Sequence, residues 1–264
     1  MTVCLTGDVH HMSLETRDQE YMDRTEVEAA IEYAEIAAEY DVPVTLFVTG
    51  KAAEEEPERV KRLAAMENVE VGGHNYWAFD TLVHKGWRGL TGSWNGPSSF
   101  QRWEIRKTIE TFAELGIGIT SWRDHAYRHD KHTAELLSEA GITHFSDAVE
   151  PDGEVREEDG LTVVPINTPP DHDHVYHAFR TPSFVAGSDF EGPFGGEAVE
   201  VDVWMEWVFE RVDTAVDSDD LGTILSHPGC MDLIDSLAAF EELCSYIAEQ
   251  YDPWKISEVN TEIP

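Results

Sequence analysis

The chain has 264 residues, of which 41% are hydrophobic and 10% aromatic. That is enough for a buried core and suits a single α/β barrel domain. The charge is unusual, because 53 acidic residues against 18 basic ones leave a net charge of −35. Disordered acidic chains lack such a hydrophobic content, and a negative surface disfavours nucleic acid and anionic membranes. We interpret the chain as a folded halophilic protein whose surface carboxylates are screened by molar salt.

The cysteines and the amino-terminal residues indicate in which cellular compartment the protein is expected. Cys4, Cys230 and Cys244 are an odd number without paired spacing, so neither a disulfide framework nor a zinc knuckle is predicted. The amino terminus has no basic region and resembles a buried strand more than a signal peptide. No stretch approaches the roughly 18 apolar residues that a membrane span needs. We therefore expect a cytoplasmic protein that does not bind membranes.

The predicted elements alternate between strands and helices. Thr25 and Glu28 form a capping-box signature before a helical hydrophobic pattern, and Pro57 begins a second helix. The segment 75–100, rich in Gly, Trp and Ser, is predicted to be a long loop insertion. In chain order the elements are strand 3–6, helix 25–40, strand 44–48, the helix from Pro57, strand 69–71, helix 101–115, strand 117–122, helix 131–140, strands 142–145 and 161–166, helix 198–216, strand 222–226 and helix 236–251.

This alternation predicts a parallel sheet flanked by helices in one domain, residues 1–264, without internal repeats or linkers. The positions of the polar residues favour a (β/α) barrel over an open sheet, because barrel sites lie where strands end. Most of the histidines follow predicted strands, which indicates a metal or acid–base site at that end. The residues concerned are Asp8, His10 and His11 after the first strand, His74 after the third, Arg123, Asp124 and His125 after the fourth, Asp147 after the fifth, Asp171, His172, Asp173 and His174 after the sixth, and His227 after the seventh.

Four clusters carry the candidate chemistry. Asp8 and His10 are two residues apart at a strand end, so their side chains point to the same side and could share a divalent ion such as zinc, cobalt or nickel. His74 follows two glycines that permit a sharp turn. Arg123 could fix a catalytic carboxylate through a bidentate pair. His227 ends an apolar strand.

Taken in order, these clusters resemble the polysaccharide deacetylase family, the carbohydrate esterases with a nodulation-protein-type homology domain. The matching segments cover nearly the whole chain. They are Leu5-Thr-Gly-Asp8-Val-His10, the extended run 42–50 ending in Gly50, Glu70-Val-Gly-Gly-His74, the stretch from Arg123 to Gly141, and Leu225-Ser-His227. The resemblance implies an incomplete barrel of about seven strands and hydrolysis of a carbon–nitrogen amide bond in an amino sugar or polysaccharide. Its partners would be carbohydrate or other small-molecule substrates, and the oligomeric state stays open.

The resemblance also implies roles for individual residues. Asp8 would be the general base and His227 the general acid, with Arg123 orienting Asp8 and Asp147 pairing with a ring nitrogen of His227. His227 would then protonate the leaving amine after water has attacked the carbonyl.

The sequence departs from the family pattern at the metal ligands. Val9 stands where a second aspartate is usual, and Ala78 stands where the second metal histidine is expected. We expect His10 and His74 to hold the ion, with Asp8 or a loop histidine (His11, His84 or one of the group 171–174) completing the set. Metal-independent relatives, including an allantoinase-like cytoplasmic branch acting on cyclic amides, also lack that histidine.

Two other readings stay open at this stage. Binuclear metallophosphoesterases also begin with Asp-x-His, although their Gly-Asp-x-x-Asp and late Gly-His-x-His motifs are missing from this sequence. A non-catalytic carbohydrate-binding barrel could stack sugars on Trp77, Trp87 and Trp94, which could equally be core residues. The combination of Asp8 and His227 with Arg123 argues against a mere binding module.

Overall fold

The computed structural model describes residues 2–217 and 221–261. Nine strands form one sheet: β1 (Thr2–Val9), β2 (Val44–Val48), β3 (Val69–Gly73), β4 (Ser121–Trp122), β5 (His144–Phe145), β6 (Arg156–Glu158), β7 (Leu161–Val163), β8 (Gly222–Leu225) and β9 (Asp252–Trp254). Eleven α-helices occur in the described part of the chain. They are α1 (Glu26–Glu39), α2 (Gly50–Glu55), α3 (Pro57–Ala64), α4 (Leu82–Thr91), α5 (Ser98–Glu114), α6 (Thr133–Glu139), α7 (Asp171–His174), α8 (Pro182–Ala186), α9 (Val201–Asp217), α10 (Pro228–Asp235) and α11 (Ala238–Gln250).

The strand order explains the architecture. It runs β6-β7-β5-β4-β3-β2-β1-β8, with β9 also paired to β1. Eight of the nine strands in the described part of the chain are mutually parallel, whereas β6 runs antiparallel to β7. The sheet curls into a half-barrel surrounded by helices, so the predicted incomplete barrel of about seven strands is confirmed. Parallel pairing also explains why β2 is buried along its whole length.

Side chains connect the two sides of the half-barrel. Asn167 donates from Nδ2 to the carbonyl of Leu221 at 2.7 Å and accepts from the backbone N–H of Thr223 at 2.8 Å. Thr168 donates to the carbonyl of Thr223 at 2.9 Å. These bonds join the chain that follows β7 to strand β8, so residues just beyond 168 lie beside the end of β8.

Local sequence signals account for several elements. The capping box at Thr25 is present, since Glu28 N–H donates to the Thr25 hydroxyl at 3.2 Å and Thr25 N–H donates to the Glu28 carboxylate at 3.0 Å. The predicted loop insertion 75–100 is wrong in part, because α4 lies within it and α5 begins at Ser98. The sequence also did not predict α2 or α10. None of the described helices is long and apolar enough to cross a membrane.

Candidate active site

Arg123 and Asp8 form a buried ion pair at the carboxyl end of the sheet. Arg123 follows β4, Asp8 lies near the end of β1, and both side chains are almost inaccessible to solvent. Arg123 Nη1 donates to Asp8 Oδ1 at 3.0 Å. The rest of the guanidinium donates to the carbonyl and hydroxyl oxygens of Ser146 and to the hydroxyl of Thr6. These bonds tie Arg123 to β1 and to the residue that follows β5, and so fix the position of the carboxylate.

The environment keeps Asp8 ionised. Burial alone raises the pKa of Asp8, but positive charge from His74 and Arg123 outweighs it and holds the pKa well below its usual value. Burial also lowers the pKa of His74 to about 3, so that imidazole is neutral at neutral pH. At neutral pH the Asp8 carboxylate is therefore stabilised by Arg123 and by His227 rather than by His74.

His227 faces the other side of Asp8, with its Nε2 atom 3.5 Å from Asp8 Oδ2. Its ring and backbone are both held by Asp171, which accepts from His227 Nδ1 at 2.6 Å and from the His227 backbone N–H at 2.7 Å. Burial lowers the pKa of His227, but the carboxylates of Asp171 and Asp8 raise it well above its usual value. The imidazole is therefore protonated, as a general acid must be.

The expected pairing of Asp147 with His227 is wrong. Asp147 accepts from His129 Nδ1 at 2.6 Å and from the Asp124 backbone N–H at 2.8 Å. The strand order gives the reason, because β5, which precedes Asp147, lies four strands away from β1 and five from β8. Asp171 takes the place beside His227, since the bonds from 167–168 to β8 bring the following residues there.

Three imidazoles meet next to this acid–base pair. The ligand nitrogens of His10, His74 and His125 all lie within 4.8 Å of one another. His10 Nε2 is 3.0 Å from His125 Nδ1, and His74 Nε2 is 3.7 Å from Asp8 Oδ2. The ring centroids are 4.9–5.5 Å apart. Asp8 thus stands at the border of the cluster, bonded to Arg123.

The outer hydrogen bonds of His10 and His74 are those of metal ligands. His74 Nδ1 donates to the carbonyl of Arg123 at 2.9 Å, which leaves Nε2 as a lone pair, and that buried atom has no hydrogen-bond partner. His10 Nδ1 lies 2.9 Å from Glu26 Oε2. Metal-bound histidines commonly donate their second N–H to a carbonyl or a carboxylate in this way. Three nitrogen donors with an open side fit a catalytic zinc ion.

His125 is the third imidazole of the cluster, and it supplies the histidine that the sequence lacks at Ala78. Ala78 is buried and offers no ligand, whereas His125, two residues beyond Arg123, turns its ring into the cluster. The turn requires positive φ angles at Ala126 (53°) and Tyr127 (56°). Strained backbone of this kind is concentrated at functional sites. Only the position of His125 after a predicted strand signalled it in the sequence.

The other predicted ligands lie elsewhere. His11 bonds through Nδ1 to the Thr49 hydroxyl, and His84 bonds to Glu104 at 3.1 Å. His172 lies in a different cluster, with its Nδ1 atom 3.8 Å from Asp18. His10, His74 and Asp8 do lie together, and Glu26 behind His10 is a further residue that the sequence did not indicate.

A cavity of about 300 Å³ opens onto this arrangement. Its lining includes Asp8, His10, His125 and His227, so the acid–base pair and two of the imidazoles reach the same space. Trp94 does not line it and is packed between Arg88 and Arg128. The arrangement can activate water and protonate a leaving group on one small substrate, which is the chemistry of a hydrolase.

The comparisons with known proteins agree with this class. The sequence profile described as polysaccharide deacetylase matches residues 16–145. It confirms the resemblance to this family predicted from the sequence, over a little less than half of the chain. No curated protein matches the chain.

Solved structures show the same fold. A putative polysaccharide deacetylase from Mycobacterium smegmatis has a TM-score of 0.73 at 21% identity, with 99% of this chain and 89% of that chain covered. An allantoinase has a TM-score of 0.64 at 14% identity, with 96% and 86% covered. A CE4 family pseudoenzyme from Bacillus anthracis has a TM-score of 0.59 at 16% identity, with 97% and 64% covered. The fold therefore occurs in enzymes and in a pseudoenzyme.

Proposed function

We propose that the chain hydrolyses the acetyl-amide bond of an N-acetylated amino sugar, with Asp8 as general base and His227 as general acid. The observation that carries this proposal is the position of Asp8. Its carboxylate lies 3.5 Å from His227 Nε2 and 3.7 Å from His74 Nε2, beside a cavity of about 300 Å³. A base, an acid and a set of nitrogen donors thus converge on one substrate-sized space.

The charges of the two residues suit their roles. Asp8 stays ionised because of Arg123 and can accept the proton of an attacking water. As the oxygen of that water bonds to the acetyl carbon, the carbonyl becomes a tetrahedral oxyanion. His227 then donates its Nε2 proton to the amide nitrogen, the C–N bond breaks, and acetate and the free amine leave. Asp171 positions His227 and stabilises its charged form, as the aspartate of a catalytic triad does.

His10, His74 and His125 are the residues that fit a divalent ion, with Glu26 and the carbonyl of Arg123 behind two of them. When bound there, zinc would act as a Lewis acid on the carbonyl oxygen and lower the pKa of its water. An ion would bind to unprotonated nitrogens of His10 and His125. The hydrogen bond between His10 Nε2 and His125 Nδ1 would then be replaced by bonds from these rings to the ion.

Two further parts of the proposal rest on composition. The net charge of −35 supports a protein that works in concentrated salt. A cytoplasmic location and the absence of nucleic-acid partners stay predictions.

Acetate release from N-acetylglucosamine oligomers, measured with added zinc in molar salt, tests the function. We expect turnover by the natural protein, and loss of more than nine tenths of it in Asp8→Asn and His227→Ala. Asp41→Asn is the matched control, because Asp41 is exposed and lies before β2, at the opposite end of the sheet. Absence of acetate release, or hydrolysis of a cyclic amide such as allantoin instead, would contradict the proposed substrate. Activity retained in Asp8→Asn would contradict the mechanism.

A further inference from the structure

A second group of metal-ligand side chains lies outside the acid–base pair and the three imidazoles. It consists of Asp18, His172, His177 and Cys230, each offering one atom within 4.8 Å of the others. Asp18 belongs to the loop after β1, the two histidines to the segment that begins with α7, and Cys230 to α10. Three segments distant in sequence therefore converge on one point.

The distances within this group suit a tetrahedral ion. His177 Nε2 is 3.4 Å from Asp18 Oδ1 and 3.6 Å from Cys230 Sγ, and His172 Nδ1 is 3.8 Å from Asp18 Oδ2. Zinc bonds of about 2.0–2.3 Å to nitrogen, oxygen and sulfur place tetrahedral ligands roughly 3.3–3.8 Å apart. These three separations fall within that range, and all four ligand atoms lie within 4.8 Å of one another.

The hydrogen bonds around His177 present a lone pair to the centre of the group. Its Nδ1 atom donates to the carbonyl of Val175 at 2.8 Å, so Nε2 is the ring nitrogen that can bind an ion. That nitrogen faces the carboxylate of Asp18, whose Oδ1 atom is buried without a hydrogen-bond partner. An unprotonated Nε2 and a carboxylate oxygen 3.4 Å apart repel each other unless a proton or a metal ion lies between them, and the Cys230 sulfur at 3.6 Å adds a third ligand atom that suits a metal ion.

We propose that Asp18, His172, His177 and Cys230 form a second, four-coordinate zinc site. Thiolate and imidazole ligands favour zinc over magnesium or calcium. Four protein ligands fill the tetrahedral shell, as in sites that stabilise structure, whereas the three imidazoles at the other site leave a position open. His227 and Asp171 lie near Cys230 but bond to each other at 2.6 Å, so they are not ligands here.

The site would fix the parts of the chain that carry the acid. His172 directly follows Asp171, and Cys230 is three residues beyond His227. Binding one ion to both segments restrains the Asp171–His227 pair, and Asp18 joins the loop after β1 to them. This effect does not depend on which amide the protein hydrolyses.

Replacement of zinc by cobalt tests the proposal, because a Co²⁺–thiolate bond gives a charge-transfer absorption in the near ultraviolet and imidazole ligands do not. The natural protein titrated with Co²⁺ should show this band. Cys230→Ala should abolish it, whereas Cys244→Ala, which removes another buried cysteine, should keep it. His74→Ala should also keep the band, because it affects the other site.

A second variant guards against misfolding of Cys230→Ala. His172 is about half exposed, with 46% of its side chain accessible, so its removal should leave the fold intact. His172→Ala should weaken Co²⁺ binding at the thiolate site roughly tenfold or more, judged by the same band, since even loss of an outer partner costs 10–100-fold. Absence of the band in the natural protein, its persistence in Cys230→Ala, or unchanged affinity in His172→Ala would overturn the proposal.

Discussion

Asp171→Asn tests whether Asp171, as in the structure, or Asp147, as expected from the sequence, is the partner of His227. Asp171 is fully buried and accepts two bonds from His227, at 2.6 Å from Nδ1 and at 2.7 Å from the backbone N–H. An asparagine of the same shape can still accept one of them. It removes the negative charge that keeps His227 protonated, and its amide group can favour the wrong tautomer.

The expected effect follows from what the charge does. A positioned general acid contributes a factor of about 10²–10⁴ to the rate, which corresponds to about 2.7–5.4 kcal/mol. We expect kcat/KM for acetate release to fall within this range. Asp171 also raises the pKa of His227, so its loss lowers that pKa. Because His227 acts in its protonated form, the alkaline limb of the pH–rate profile should move to lower pH.

The assay compares Asp171→Asn with Asp147→Asn over a range of pH. Asp147 is as buried as Asp171 and follows β5, the strand that pairs with β7, but its carboxylate bonds to His129. We expect Asp147→Asn to keep its activity within about tenfold and its alkaline limb unchanged. A larger loss in Asp147→Asn than in Asp171→Asn, or an unshifted limb in Asp171→Asn, would refute the assignment of the His227 partner.

Three further predictions concern metal affinity, packing and salt. Glu26→Gln should weaken zinc binding 10–100-fold in a chelator competition, because Glu26 holds Nδ1 of His10; an unchanged affinity would argue against His10 as a ligand. Gly73→Ala should lower the free energy of unfolding in urea by about 1–3 kcal/mol, since the new Cβ would lie 2.3 Å from the ring of Trp122; Gly118→Ala, with open space around it, should not. The melting temperature should rise from 0.01 M to 1 M salt, as the screening length falls from about 30 Å to about 3 Å; a flat response would contradict the halophilic interpretation.

The sequence was sufficient for the fold because its signals are local and repeated. Apolar runs such as 44–48 are buried throughout, and Thr25 with Glu28 marks the start of α1. The segment 75–100 misled the prediction, since Gly86 and Gly89 argue for a loop. Both glycines lie on α4, and a Cβ atom added at either position would meet nothing within 4 Å. They therefore face open space, and the helix forms although these two positions contribute no packing.

The site was harder to predict because its contacts depend on strand order and on single turns. Asp8 and Arg123 could be paired from the resemblance, and the structure places them 3.0 Å apart. The partner of His227 depended on which loop lies beside β8, and nothing local to Asp147 or Asp171 encodes that. His125 reaches the cluster through a turn with positive φ at non-glycine residues, which a sequence pattern does not reveal.

The central claim is that His10, His74 and His125 hold one metal ion beside Asp8 and His227. Anomalous diffraction at the zinc edge, from a crystal grown with zinc and without chelator, tests it most directly. We predict a peak bonded to the ring nitrogens of all three histidines, on the side facing Asp8, and its loss in a His10→Ala/His74→Ala double variant. A density map without a peak there, with His10 Nε2 still bonded to His125 Nδ1 as in the present structure at 3.0 Å, would contradict the claim.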